Sequence, residues 1–293
     1  MKKAGIIKLH NKKSNVFIVA NLSRKAVIPC AERLIALLKK HKIGIAMDLS
    51  ARETFAEAEV EFVSAKDGFA AADMIFVIGG DGTILRAAKT ALIYDKPILG
   101  INAGRLGFLS DIEADDLSVI EKLFTEGCKI EKRSVLKVTV GKKSMYAIND
   151  VFVTYCEPGK TAELFVECGE HEVCRYRADG IVLATPDGST AYSMSAGGPI
   201  IDTTFDAIVM TPVCPHSLIS RSIVFSADKI INVGSSFNGD EEKVDVVIDG
   251  EKMFCITKGD KVTARVSDKY IKFINISGRG FYEVLNQKII GRI

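Results

Sequence analysis

Five consecutive residues, Gly79-Gly80-Asp81-Gly82-Thr83, combine the makings of a phosphate cradle with an acid that is out of place in one. They follow directly on the apolar run Met74-Ile75-Phe76-Val77-Ile78. Two glycines at the carboxyl end of a buried strand let the chain turn sharply and bring backbone N–H groups close to a ligand. A helix opening next presents unpaired N–H groups and a positive dipole end, which together suit an anion. Gly82 keeps the approach open, and Thr83 adds a hydroxyl at the helix start. Asp81 repels phosphate unless it has a task of its own. Two tasks fit: accepting the proton of an attacking hydroxyl, or holding a magnesium ion that bridges phosphates. The plainer alternative is a helix-cap aspartate in an Asp-Gly turn.

A second cluster covers residues 178–199. The strand-like run Ile181-Val182-Leu183-Ala184 leads into Thr185-Pro186-Asp187-Gly188, and then into Ser189, Thr190, Ala191, Tyr192, Ser193 and Ser195. So many hydroxyls pack a core poorly, because each needs a partner. Tyr192 has the flat face to stack on a base while its neighbours bond ribose or base edges. A capped helix start at Ser189 or Thr190 is the structural alternative.

The elements that must position these residues fall into two kinds. Over the first 127 residues, short apolar runs (residues 16–20, 43–47, 74–78 and 97–101) alternate with helical spacing over 26–40 and 84–93. Such alternation implies an α/β domain with a mainly parallel sheet. A further helix is expected from Asp115 or Asp116 to Gly127. Past Gly127 the runs become short and alternating, as in 136–140, 162–166, 244–248 and 262–266, punctuated by Gly, Asp and Asn. That pattern implies an all-β-rich second domain over 128–275. The tail, 276–293, is expected to close with a helix over 282–290 and to pack back on the first domain, so the chain is α+β overall.

Composition bounds the function. The 293 residues carry 39 basic and 37 acidic side chains, a net charge of +2, and 47% are hydrophobic. So small a charge gives no electrostatic reason to expect a nucleic-acid or membrane partner, and any phosphate must be held by local geometry. No apolar run approaches the ~18 residues that span a bilayer, and Lys8 interrupts the apolar N-terminus, so a cytoplasmic protein is expected. The seven cysteines (30, 128, 156, 168, 174, 214 and 255) include no C-x-x-C pair. His171 and Cys174, with Cys168 nearby, come nearest to a zinc pattern. Reduced thiols in or near strands are the better reading, and no protein metal site is expected.

With these residues in hand, the chain resembles the NAD kinases over nearly its whole length. The resemblance rests on Gly79 to Thr83, on Asn102-Ala103-Gly104-Arg105-Leu106-Gly107-Phe108-Leu109, on Asn149-Asp150, and on Asp179-Gly180 through Gly198-Pro199. Pro212-Val213-Cys214-Pro215-His216-Ser217-Leu218 and Asp249-Gly250 extend it. The glycine loop is shared with diacylglycerol, sphingosine and phosphofructo-kinases; the second cluster with Asn149-Asp150 is the specific part. The resemblance implies transfer of the terminal phosphate of ATP to the 2′-hydroxyl of the adenosine ribose of NAD. Asp81 would be the general base. Gly79, Gly80, Gly82 and Thr83 would face phosphates, with Arg86 meeting the pyrophosphate or the new phosphate. Asn149 and Asp150 would contact the adenosine, with Arg177 and Asp179 near the nicotinamide. Thr190, Ala191, Tyr192, Ser193 and Ser195 would line the dinucleotide pocket. Mg2+ or another divalent cation would travel with the triphosphate, since no G-x-x-x-x-G-K-[ST] loop is present. Family members are commonly dimers or tetramers.

Three positions depart from the common family form. Asp187 stands where a threonine is frequent, Glu251 where glutamine is, and Asp150 where glutamate is. Lys160 is a further loop candidate for ligand contact, while His216 reads as structural. Two rivals remain: a lipid kinase of the diacylglycerol or sphingosine type, and a non-catalytic NAD(P)-binding sensor.

Overall fold

A computed structural model describes residues 5–10, 14–104, 107–157, 161–217, 219–236 and 243–288. Arg105, Leu106, Lys160 and Leu218, named above, lie outside them, as does the tail beyond Lys288. The chain divides into two compact units, Met1–Lys132 with Ile271–Ile293, and Arg133–Tyr270. Both cuts fall inside long strands, Cys128–Val140 and Val262–Asn275, where a continuous extended chain shows no change of composition.

In the first unit five strands run parallel in the spatial order Pro97–Asn102, Met74–Gly79, Asn15–Ala20, Gly44–Asp48, Glu61–Val63. Lys272 and Phe273 join beside Pro97 and Ile98, also parallel. The strands Met74–Gly79 and Pro97–Asn102 are buried along their whole length. This is why they read as unbroken apolar runs and not as alternation. Helix Val27–Lys40 turns Val27, Cys30, Ala31, Leu34, Ile35 and Leu38 inward, the spacing of a single helical face. Its basic end is engaged on the surface, Lys39 with Glu59 and Lys40 with Glu121.

Helix Asp81–Ile93 begins three residues before the apolar periodicity does. Gly80 is its N-cap in extended backbone, and the carboxylate of Asp81 occupies the first turn, where the dipole favours it. Thr83 is therefore the third helical residue. The helix expected to reach Gly127 is split into a 3-10 turn, Leu117–Glu121, and one α-turn, Lys122–Thr125. Gly127 follows at φ +82, the left-handed stop that its sequence position suggests. The tail carries helix Phe281–Lys288. Among the described residues no helix is long and apolar enough to cross a membrane.

The second unit is antiparallel. Six strands lie in the order Ile223–Ser226, Ala207–Val213, Gly180–Ala184, Asp150–Tyr155, Val244–Ile248, Glu251–Ile256. Alternation sorts their side chains. Val151, Val153, Val244, Val246 and Ile248 enter a core shared with Leu164 and Ile231. Phe152, Val182, Ala184 and Val209 pack on the opposite face with Ala196 and Ile201.

Candidate functional site

The glycine loop is built as a turn between a fully buried strand and a helix. The carbonyl of Gly80 accepts from Thr83 N at 2.9 Å and Ile84 N at 3.1 Å, so Asp81 and Gly82 contribute the leading N–H groups. A β-carbon on Gly79 would sit 2.8 Å from that of Thr83, and one on Gly80 would sit 3.2 Å from a guanidinium nitrogen of Arg24. Arg24 also lies against Gly104, within 2.9 Å of where a β-carbon would stand there. A cation thus lies beside the loop. Thr83 is buried, and its hydroxyl accepts from Asn21 Nδ2 at 3.2 Å. Asn21, Thr83 and Arg86 line a cleft of about 410 Å³ with Ser50 and Leu22.

Asp81 is held in place. Its Oδ2 accepts from Phe108 N at 2.9 Å and its Oδ1 from Leu109 N at 3.2 Å. Lys288 Nζ lies 3.5 Å from Oδ2 and 4.0 Å from the centre of the Phe108 ring. A β-carbon on Gly107 would fall 1.7 Å from Oδ1. The segment containing Gly107, Phe108 and Leu109 therefore forms a seat shaped for this carboxylate, which keeps 38% side-chain exposure. Nearby, Asn102 donates to Glu113 Oε2 at 2.7 Å and to the Gly104 carbonyl at 3.1 Å.

In the second unit the Asn149-Asp150 turn is clamped from two sides. Asp249, itself in left-handed backbone at φ 48, accepts with Oδ1 from Asn149 N at 2.7 Å and Asp150 N at 3.1 Å. Its Oδ2 accepts from Ile148 N at 3.1 Å. From the other side Thr185 donates its hydroxyl to the Ile148 carbonyl at 2.7 Å and its N–H to the Asn149 carbonyl at 2.8 Å. Gly188 then presses on Asn149 so closely that a β-carbon would stand 1.9 Å from its carbonyl oxygen. Asp249 extends the motif in the sequence, and its clamping role is visible only in the fold.

The hydroxyl-rich segment divides into two groups. Tyr192 is 43% exposed, edge-on to Phe152 at 5.0 Å, and Ser195 is exposed as well. Burial, then the neighbouring Cys214, Asp179 and Asp150, push the Tyr192 phenol up, so it is a neutral donor at ordinary pH. Those neighbours show that the fold gathers Asp150, Asp179, Tyr192 and Cys214. A hydrogen bond to Asp179, with its charge, pushes the Cys214 thiol up. Thr190 donates to the Asp187 carbonyl at 2.9 Å. Ser193 stands apart from the exposed residues: it is fully buried and its hydroxyl pairs with that of Thr211 at 2.9 Å. Its hydroxyl serves the fold. Arg177 is exposed, with Nε donating to Thr161 at 3.1 Å and its carbonyl accepting from His216 N at 2.8 Å.

Asp187 is not a surface acid. Its side chain is 4% exposed and pairs with Arg133 at 2.5 Å. The carboxylate that departs from the common family threonine is thus neutralised within the unit.

A parallel-sheet unit with an acid-bearing glycine turn, and an antiparallel unit with a clamped Asn-Asp turn and an exposed tyrosine, define a phosphotransferase of nucleotide-type alcohols. Comparison with known proteins specifies the family. Residues 16–127 match the ATP-NAD kinase N-terminal domain and residues 148–276 the ATP-NAD kinase C-terminal domain. The NAD kinase of Natranaerobius thermophilus is 32% identical over 283 residues, covering 94% of this chain and 98% of that protein. The NAD kinase of Caldanaerobacter subterraneus is 39% identical over 223 residues, covering 73% and 77%. The fold is also that of yeast NADH kinase complexed with NADH, at TM-score 0.84 and 23% identity over 98% of this chain and 88% of that one. An Archaeoglobus fulgidus NAD kinase in complex with ATP aligns at TM-score 0.72 and 22% identity, over 95% and 98%. The chain belongs to the NAD kinase family and is a phosphotransferase.

Proposed function

We propose that the chain transfers the terminal phosphate of ATP to the 2′-hydroxyl of the adenosine ribose of NAD, with Asp81 as general base. The carrying observation is the seat of Asp81: a carboxylate heading a helix at a glycine turn, oriented by two backbone N–H groups and still open to solvent. A ribose hydroxyl is a poor nucleophile, and a positioned base contributes about 10²–10⁴-fold to such a step. The proton passes from the hydroxyl to Asp81 as the new P–O bond forms, the bond to the β-phosphate breaks, and ADP leaves. Gly79, Gly80, Gly82 and the helix N-terminus hold phosphate, with Thr83 shaping the turn and Arg24 and Arg86 supplying cations. Asn149, Asp150 and Tyr192 hold the adenosine part, with Thr190, Ala191 and Ser195 along the dinucleotide. Arg177 and Asp179 serve the nicotinamide side, and Ser193 supports from within the fold.

A divalent ion such as Mg2+ belongs to this reading. The oxygen donor at the loop is one partly exposed carboxylate already bonded to backbone, which fits an ion carried by the triphosphate and not a protein cage. When bound, the ion neutralises phosphate charge. A cytoplasmic location and a homodimer or homotetramer complete this reading.

The test is an assay with NAD, ATP and Mg2+ that reads NADP through an NADP-specific dehydrogenase. Asp81→Asn is expected to retain NAD binding by calorimetry and to lose turnover by about 10²–10⁴-fold. A near-normal rate would remove Asp81 from the base role. NADP binding with no turnover in the native chain would restore the sensor.

A further inference from the structure

Away from the Asp249 end of strand Val244–Ile248, the outer face of the six-stranded sheet carries a second cluster. Asp245 pairs with Thr154 on one side and Cys255 on the other, while Cys156 continues the ladder through its N–H to the Lys243 carbonyl at 3.4 Å. Strand alternation sends all three side chains to the face opposite the Val244 and Val246 core. Cys156 Sγ lies 2.9 Å from Asp245 Oδ1 and 3.7 Å from Cys255 Sγ. One ligand atom from each of the three residues lies within 4.8 Å of the others. The second oxygen of Asp245 bonds Lys252 Nζ at 2.6 Å.

We propose that Cys156, Cys255 and Asp245 form a binding site for a thiophilic divalent cation, Zn2+, separate from the phosphoryl-transfer site. Two Zn–S bonds of about 2.3 Å at a tetrahedral angle place their sulfurs roughly 3.8 Å apart. The sulfurs already stand at 3.7 Å. Two thiolates with a carboxylate oxygen are a donor set that favours zinc over the hard Mg2+. Charge also balances: two thiolates and one carboxylate against Zn2+ leave one negative charge, which Lys252 neutralises while fixing the orientation of Asp245. The fourth tetrahedral position faces solvent, since Cys255 is exposed.

A disulfide is the competing use of the two sulfurs; both thiols are free, and at 3.7 Å they stand well beyond the roughly 2.05 Å of an S–S bond. Strand Val244–Ile248 lies between strand Asp150–Tyr155, which Cys156 follows directly, and strand Glu251–Ile256, which carries Cys255. A metal bridges sulfurs at van der Waals contact without drawing the strands together.

The experiment titrates the full, reduced, metal-stripped chain with Co2+ and follows thiolate-to-cobalt charge transfer in the near ultraviolet. The expected result is one equivalent bound in the presence of excess Mg2+, displaced stoichiometrically by Zn2+. Cys156→Ser and Cys255→Ser are each expected to abolish the band. Lys252→Met is expected to weaken binding by about 10- to 100-fold as an outer partner. Retained NAD binding by calorimetry marks each variant as folded, and a Zn2+-dependent rise in Tm of the native chain reports the site without any variant. A full band in the Cys156→Ser/Cys255→Ser double variant would overturn the assignment. So would the absence of any band or Tm shift, or a Cys156–Cys255 disulfide mapped by mass spectrometry as the product of aerobic handling.

Discussion

At the scale of single residues, the proposed reaction depends on how firmly Asp81 is aimed. Its two oxygens accept from Phe108 and Leu109, and the space beside Oδ1 is clear because residue 107 has no side chain. Gly107→Ala would put a β-carbon 1.7 Å from that oxygen, so the carboxylate must swing away. Misplacement of a reacting group by about 1 Å costs on the order of 10²-fold. The expected outcome is therefore a fall of about that size in kcat, with KM for NAD nearly unchanged and Tm little altered; a fall in Tm with kcat preserved would refute the seat. The glycine pair and the acid were legible in the sequence because they follow an unbroken apolar run. The seat was only half legible. Gly107 to Leu109 stand out as a motif, but their orientation toward Asp81 depends on the pairing of Gly79 with Asn102. Lys288, 207 positions away, left no local signal.

At the scale of elements, the turn from Thr185 to Thr190 is pressed on Asn149. Thr185 and Gly188 make the contact, and the Arg133–Asp187 pair lies at its foot. Removing one partner of a buried pair leaves a charge uncompensated. Asp187→Ala is accordingly expected to destabilise the chain by about 3 kcal/mol, read as a lower denaturation midpoint. The paired substitution Arg133→Met/Asp187→Leu is expected to recover much of the loss. Equal destabilisation by both variants would mean that the charge is not what matters there. The sequence marks Asp187 as a departure and raises the question of a carboxylate near phosphate. Its partner, 54 positions away on strand Cys128–Val140, answers that question and could not be read in advance. Ser193 shows the same limit: hydroxyl density predicts close ligand approach, but Thr211 takes that hydroxyl inward. The Cys156, Asp245 and Cys255 cluster is an extreme case, since spacing rules for metal ligands see only ligands that share a turn.

At the scale of the whole molecule, the proposed reaction gives the two units separable tasks, each unit with its own core and its own prevailing strand pairing, parallel in the first and antiparallel in the second. The alternation of strand and helix, followed by short alternating strands, made both kinds legible. The cuts between them lie within continuous strands, a few residues from where the pattern changes at Gly127 and ends near 275. With a net charge of only +2, general attraction does little for a polyanionic substrate, so affinity must come from particular contacts. That assigns different kinetic signatures to the two units. Changes at Asp81 or Gly107 remove interactions that matter as the proton moves, and belong in kcat. Tyr192→Ala removes a partly exposed ring, worth about 0.5–1.5 kcal/mol of stacking, and is expected to raise KM for NAD about two- to thirteen-fold. Because that contact is made equally before and during transfer, kcat changes little. Steady-state kinetics of the three variants on one preparation measure this division directly. If Tyr192→Ala lowers kcat at constant KM while Asp81→Asn raises KM, the assignment of binding to the second unit and chemistry to the first is reversed.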